Sequence, residues 1–175
     1  MRRRAPSGEG DRRAPPRFGL GALVAVVAGW SALAALAAGD AATPYVVVTT
    51  ADGEVLAEAP LPADHRWRLE WRHSVAQVTV VDHFEYRDGV MLVVEQVTPH
   101  LDIAGLGGFA GRGTMEQLPD GRYRLSGIDL PLHGNAHSFI IGTERAPSVL
   151  VVGDERFELT RMRPGTHARL EVVLR

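Results

Sequence analysis

The sequence predicts an all-β domain, an antiparallel sandwich or a partly open barrel, preceded by one N-terminal transmembrane helix or signal segment. From Tyr45 onward, short runs rich in Val, Leu, Ile and aromatic residues recur, and several alternate apolar with polar residues strictly. Turn signals, mainly Asp-Gly pairs, separate these runs. No window has the periodicity and caps of an amphipathic helix. Strands at this spacing are typical of sandwiches and barrels rather than of βαβ units.

The runs are expected to form strands in chain order. The first group lies at 45–50, 54–59, 66–73, 78–86 and 90–97, and the second group, after a Gly-rich stretch, lies at 122–128, 137–142, 148–153, 156–162 and 168–174. Among the turn pairs between them, Asp88-Gly89 is the strongest hairpin signal, because both residues tolerate a positive φ.

The predicted organisation is a basic cytoplasmic tail at 1–17, a transmembrane anchor or signal segment at 18–39 and an extracytoplasmic β domain at 40–175. The segment 18–39 has no charged residue and has the length, roughly 20 residues, that crosses a bilayer. The arginines in front of it predict a single pass through the bacterial cytoplasmic membrane with the C-terminal domain outside. The alternative is a cleaved signal, since Ala35-Leu36-Ala37 fits a cleavage site, and release to the periplasm.

Composition excludes several function classes. The 175 residues include no cysteine, which excludes disulfides, thiolate metal ligands and a cysteine nucleophile. All 19 basic residues are arginine, so a P-loop lysine and a Schiff-base lysine are also excluded. The net charge is −2; residues 1–39 carry six Arg against Glu9 and Asp11, or +4, which leaves −6 for the rest. An acidic domain argues against nucleic acid as a partner.

The stretch Glu70–Tyr86 contains the residue types of a Ser-His-Asp catalytic unit, in His73, Ser74 and Asp82. Neighbouring side chains of a strand point to opposite faces, so adjacent His73 and Ser74 cannot act as base and nucleophile in regular β structure. His73 is in phase with the apolar face of its strand, which includes Trp71, and is expected to be structural. Its imidazole is expected to be fixed by a hydrogen bond to the backbone or to a polar neighbour, of which Asp82 across a hairpin is the candidate. That contact requires a bend near 75–77.

Other chemistry-bearing patterns are weak. His133 and His137 are four residues apart, but Gly134 and Asn135 between them favour a turn, so no metal site is predicted. The stretch "GLGGFAGRG" at 105–113 matches a dinucleotide fingerprint only formally, because no helix follows it, and no cofactor is expected. A flexible loop is the expected structure, with Arg112 and backbone N–H groups as a candidate anion site.

The chain resembles an uncharacterised bacterial family of small extracytoplasmic proteins, classed as a domain of unknown function, often encoded beside TAXI-type tripartite (TRAP) transporters. The resemblance is carried by Trp71, the motif His73-Ser74-Val75, Asp82 with Phe84, and the glycines of 105–107. Members usually have Glu at the position of Asp82 and a shorter Gly-rich turn. The resemblance implies an all-β fold and a transport context, and it implies no activity.

The function expected from these observations is an extracytoplasmic accessory or interaction protein of a membrane transport system, not an enzyme. Its partners would be the inner membrane and TRAP transporter subunits. The alternative is a domain that binds a small carboxylate ligand through Arg112 and the corner formed by His73, Ser74 and Asp82. A periplasmic hydrolase is the third hypothesis.

Overall fold

The computed structural model describes residues 42–109 and 111–175, and within them the chain forms eleven strands and one short helix. The strands are β1 (Pro44–Thr50), β2 (Val55–Pro60), β3 (Arg66–Arg72), β4 (Thr79–Arg87), β5 (Val90–Thr98), β6 (Thr114–Gln117), β7 (Tyr123–Pro131), β8 (Ala136–Ile140), β9 (Ser148–Val152), β10 (Glu155–Phe157) and β11 (His167–Leu174). Helix α1 spans Leu159–Met162, and single 3₁₀ turns lie at Leu101–Ile103 and His133–Asn135.

The strands form two antiparallel sheets of unequal width. The smaller sheet has the order β2-β1-β11-β8, and the larger has the order β10-β9-β3-β4-β5-β7-β6. Strand β1 pairs along its whole length with β11, from Pro44 opposite Leu174 to Thr50 opposite Ala168. The smaller sheet therefore joins the first strand of the domain to the last and ends at β8, which has a partner on one side only.

The inner faces of the two sheets share one hydrophobic core. Alternating residues of β1 and β11, such as Val46, Val48 and Leu170, are fully buried against Leu69 and Phe84 of the larger sheet. Burial alternates along the first half of β11, which is the pattern that the sequence predicts for half-buried strands. Of the two predicted architectures, the sandwich is the one found.

Most predicted strands are present, and the hairpin signal is confirmed. Asp88 (φ 53°) and Gly89 (φ 80°) both take left-handed conformations in the two-residue turn between β4 and β5. This is the backbone of a type I′ turn, whose twist matches that of the flanking strands.

Two elements differ from the sequence-based expectation. The strand predicted at 156–162 ends at Phe157, and helix α1 follows it. The physical reason lies in Thr160, whose side chain makes hydrogen bonds to residues distant in sequence. Its Oγ1 accepts from Ser148 N–H and donates to the carbonyl of Gly142. Strand β6 was not predicted, since all four of its residues are exposed and give no alternation of burial.

Strand β6 lies at the edge of the larger sheet. Gly113, the residue before it, lies close to the backbone of β7. A Cβ at this position would lie 2.2 Å from the carbonyl oxygen of Ser126, and the φ is +67°. Glycine is required there on both counts.

The predicted tail at 1–17 and the anchor or signal segment at 18–39 lie outside the described residues. Within 42–109 and 111–175, no helix has the length and apolar character needed to cross a membrane.

Candidate functional site

A cavity of about 570 Å³ lies between the free edge of the smaller sheet and the inner face of the larger one. One wall is β8 with the loop that follows it, through Thr143. The opposite wall is the end of β3 with its turn into β4. The Gly-rich segment 106–109 closes a third side. Because β8 has no outer neighbour in its sheet, the sandwich is open at this edge.

The structure brings three of the four predicted site residues to this cavity. His73, Ser74 and Asp82 all line it, as the predicted corner requires. Arg112 is exposed and does not line the cavity; its backbone N–H donates to the carbonyl of Phe109 at 3.0 Å. The expected bend is present, because residues 74–76 form a turn between β3 and β4.

The backbone, one of the two expected partners, is bonded to the His73 imidazole, and the expectation of a bond to Asp82 is wrong. His73 lies beyond the last residue of β3, and its Nδ1 accepts hydrogen bonds from the backbone N–H groups of Val75 (3.3 Å) and Ala76 (3.0 Å). Its backbone N–H donates to Val78 O at 2.8 Å and so closes the hairpin. The imidazole is therefore bonded within its own turn.

This geometry predicts that His73→Ala lowers the free energy of unfolding by about 1 kcal/mol, since two N–H groups of an exposed turn lose their acceptor. His73→Asn is expected to restore most of the loss, because asparagine offers an acceptor oxygen at a similar reach in turns. Urea denaturation of both variants and of Ser74→Ala measures the effect. Equal losses for His73→Ala and His73→Asn would contradict the acceptor role.

Asp82 is bonded to two neutral donors. Its side chain points to the inner face of β4 and is 5 % exposed. Trp71 Nε1–H donates to Oδ2 at 2.7 Å, and Gln96 Nε2–H donates to Oδ1 at 2.8 Å. Gln96 is directly opposite Asp82 in the β4–β5 register, and Trp71 comes diagonally from β3. Both oxygens of the carboxylate therefore accept a hydrogen bond, which asparagine could not reproduce.

Gln96 connects Asp82 to the Gly-rich segment. Its Oε1 accepts from the backbone N–H of Gly105 at 2.7 Å, and its Nε2 also donates to the carbonyl of Leu106 at 3.1 Å. Gln96 is 1 % exposed, so these bonds are made away from water. The segment is thereby fixed over the inner face of β5.

Burial without a cationic partner raises the pKa of the Asp82 carboxyl to about 6, and the bonds from Gln96 and Trp71 oppose this shift only in part. Burial also lowers the pKa of His137, another residue lining the cavity, which favours its neutral form. The inner part of the cavity thus holds a carboxyl whose charge is only weakly favoured near neutral pH.

Aromatic and aliphatic side chains form the rest of the cavity. Trp71 of β3 and Phe139 of β8 line it from the two sheets, and Phe109 lines it from the Gly-rich segment. The Phe139 ring is stacked on the His137 ring at a centroid distance of 5.9 Å. At the mouth, Leu106 and Ile140 are 40 % and 59 % exposed, so the apolar lining extends to the surface.

Gly142 shapes the wall after β8. A Cβ at this position would lie 1.7 Å from the carbonyl oxygen of Ala146, so no other residue fits without moving the backbone. Its N–H donates to Ser148 Oγ at 2.9 Å. The loop 142–146 is therefore held tightly against β9 and leaves the cavity open beside it.

Sequence reasoning missed the side chains that hold Asp82 in place. Trp71 belongs to an apolar pattern, which carries no sign of the hydrogen bond that its Nε1–H donates. Gln96 carried a usable signal, because a lone amide inside the apolar run 90–97 is either at a strand end or paired within a core. Phe109 and Phe139 carried no signal that separates a cavity wall from a core.

The fold and the cavity together define a small all-β sandwich domain with an aromatic-lined cavity between its sheets. The chain belongs to the family described as "Domain of unknown function (DUF1850)", whose model matches residues 68–159, more than half of the chain. This confirms the resemblance to an uncharacterised family. The matched span includes the predicted site residues His73, Ser74, Asp82 and Arg112. No curated protein and no solved structure matches the chain.

Proposed function

We propose that this domain binds a small, mainly apolar ligand in the cavity between its two sheets. The observation that carries the proposal is the cavity itself, of about 570 Å³. This volume falls within the range of small-molecule sites, about 300–1,000 Å³. Its lining is mainly apolar and includes a few polar side chains, which is the usual composition of such sites.

The arrangement of His73 and Ser74 supports binding over hydrolysis. The Nδ1 of His73 is occupied by two backbone N–H groups of its own turn. Within the described part of the chain, no hydrogen bond joins the imidazole to the Ser74 hydroxyl or to Asp82. Hydrolysis by a serine nucleophile needs both of these hydrogen bonds, one from the nucleophile to its base and one from the base to an orienting acid.

We propose the biological context from the resemblance. The ligand-binding domain would lie outside the cytoplasmic membrane and serve a transport system of the TRAP/TAXI type as an accessory protein. The motif His73-Ser74-Val75 and the uncharged segment 18–39 support this setting. Ligand binding and association with transporter subunits are compatible, since the cavity occupies one edge of the sandwich only.

The test uses 2-naphthylmethanol, a neutral aromatic probe, titrated into the full chain by calorimetry. We expect saturable binding with one site per chain. Leu106→Trp fills the mouth of the cavity and is expected to weaken binding at least about tenfold. Leu101→Trp is the matched control, because Leu101 is 55 % exposed and does not line the cavity. Equal binding by both variants would contradict the proposal.

A further inference from the structure

The carboxylate of Asp82 is buried without a positive charge beside it. Its two hydrogen-bond donors, Trp71 Nε1–H and Gln96 Nε2–H, are neutral. No Arg or His in 42–109 or 111–175 forms a salt bridge with it. Buried carboxylates are normally paired with a cation, because desolvating an unpaired charge is costly.

The carboxylate can still accept hydrogen bonds from the cavity side. Each oxygen accepts one bond from the protein, and an ionised carboxylate has about four acceptor positions in all. Asp82 lines the cavity although it is 5 % exposed. A ligand group that enters from the cavity therefore reaches an acceptor with fixed orientation, since Trp71 and Gln96 hold both oxygens.

Aromatic side chains line the same cavity as Asp82. Trp71 bonds to Asp82 directly and also lines the cavity, and Phe109 and Phe139 line it as well. Aromatic faces attract cations, tryptophan most strongly, and the attraction increases when the site excludes water. A carboxylate together with aromatic walls is a combination that favours ammonium over neutral or anionic groups.

We propose that Asp82 and the surrounding aromatic residues form a site for the protonated amine of an otherwise apolar ligand. This inference rests on the proposed ligand-binding function and names the chemistry of the ligand. The ammonium donates to the free acceptor positions of the carboxylate and supplies the missing counter-charge, while the apolar body lies between β8 and the Gly-rich segment.

The alternative ligand, a carboxylate, has less support from this geometry. A second anion near Asp82 adds repulsion in a site of low polarity. Arg112, the cation expected to receive it, does not line the cavity. Arg72 does line it but is exposed, so it offers a solvent-screened charge at the rim.

Three probes with the same aromatic body test the inference: 2-naphthylmethylamine, 2-naphthylmethanol and 2-naphthoate. At about pH 7.5 the amine is protonated and Asp82 is mainly ionised. We expect the amine to bind the full chain about tenfold more tightly than the alcohol, because a charge-assisted bond replaces a neutral one. The naphthoate is expected to bind most weakly.

Asp82→Asn removes the charge and is expected to bring the amine and the alcohol to within about threefold of each other. Asp120→Asn is the control, since Asp120 lies in the β6–β7 turn, bonds to Arg122 and does not line the cavity. It should keep the full preference for the amine.

The outcomes separate this inference from the function on which it rests. If no probe binds, the proposed function is wrong. If the alcohol or the naphthoate binds as tightly as the amine to the unmodified chain, the cavity binds ligands but the amine inference is overturned. This comparison needs no variant, so it stands even where Asp82→Asn fails to fold.

Discussion

Replacing Asp82 by asparagine is expected to change how the free energy of unfolding depends on pH between about 4 and 6. The carboxyl has a pKa of 3.8 in the unfolded chain and about 6 in the folded one. Between these values the folded chain holds a proton that the unfolded chain has released. Raising the pH through this window therefore destabilises the parent, by roughly 3 kcal/mol in total, and above it the contribution is constant.

The variant lacks this titration, so the difference in unfolding free energy, parent minus variant, is expected to fall by about 2.5 kcal/mol from pH 4 to pH 7. At pH 4 the parent should be the more stable of the two. At this pH the carboxyl of the parent is mostly uncharged. In the variant, the side-chain N–H₂ group at position 82 faces the N–H₂ donor of Gln96, and two donors that face each other cannot form a hydrogen bond.

Urea denaturation followed by tryptophan fluorescence at several pH values measures both effects. Asp120→Asn is again the control. Hydrogen bonds from Arg122 hold the pKa of Asp120 below 3.8, so this exposed group titrates below the window. Parallel curves for the parent and Asp82→Asn would show that burial does not perturb the carboxyl.

Gln96→Leu is expected to lower the free energy of unfolding by about 2–4 kcal/mol. The substitution keeps the approximate volume but leaves the N–H of Gly105 and the carbonyl of Leu106 without their buried partner, and Asp82 loses one donor. Each unsatisfied buried group costs about 1–3 kcal/mol.

Hydrogen exchange distinguishes this effect from a general loss of packing. The amide of Gly105 should exchange faster in Gln96→Leu by more than the fall in global stability explains, because its acceptor has gone. Gln117→Leu is the matched control: Gln117 is exposed and makes one side-chain bond, to Gly121 O at 3.3 Å. Its cost should stay within about 0.5 kcal/mol. Unchanged protection of Gly105 would contradict the anchoring role of Gln96.

The strands could be predicted because half-buried strands need side chains that alternate between apolar and polar. The turn at Asp88-Gly89 could be placed because few residues tolerate the positive φ angles that it requires. Strand β6 could not, since an exposed edge strand imposes no pattern. Helix α1 depends on bonds from Thr160 to residues far away in sequence, which no local pattern contains.

The location of the site could be predicted better than its bonding. The polar residues His73, Ser74 and Asp82 interrupt apolar runs, and they do meet at one cavity. The partner of Asp82 depends on which residue of β5 lies opposite it, and that register includes a bulge between His83 and Phe84. A register shifted by one residue would reverse the face of Gln96, so only the structure identifies this pair.

The pairing of β1 with β11 has a consequence for the order of folding. Backbone bonds in both directions join Thr43 to Arg175 at one end of the sheet, so the smaller sheet cannot close before β11 has been synthesised and has emerged from the ribosome. Until then the hairpin of β1 and β2 has no partner for Val46 and Val48, which are fully buried in the finished domain. Contacts so distant in sequence fold slowly, in milliseconds to seconds for all-β domains. A newly made chain therefore passes through a period in which an apolar strand edge is exposed and open to chaperones or to other chains.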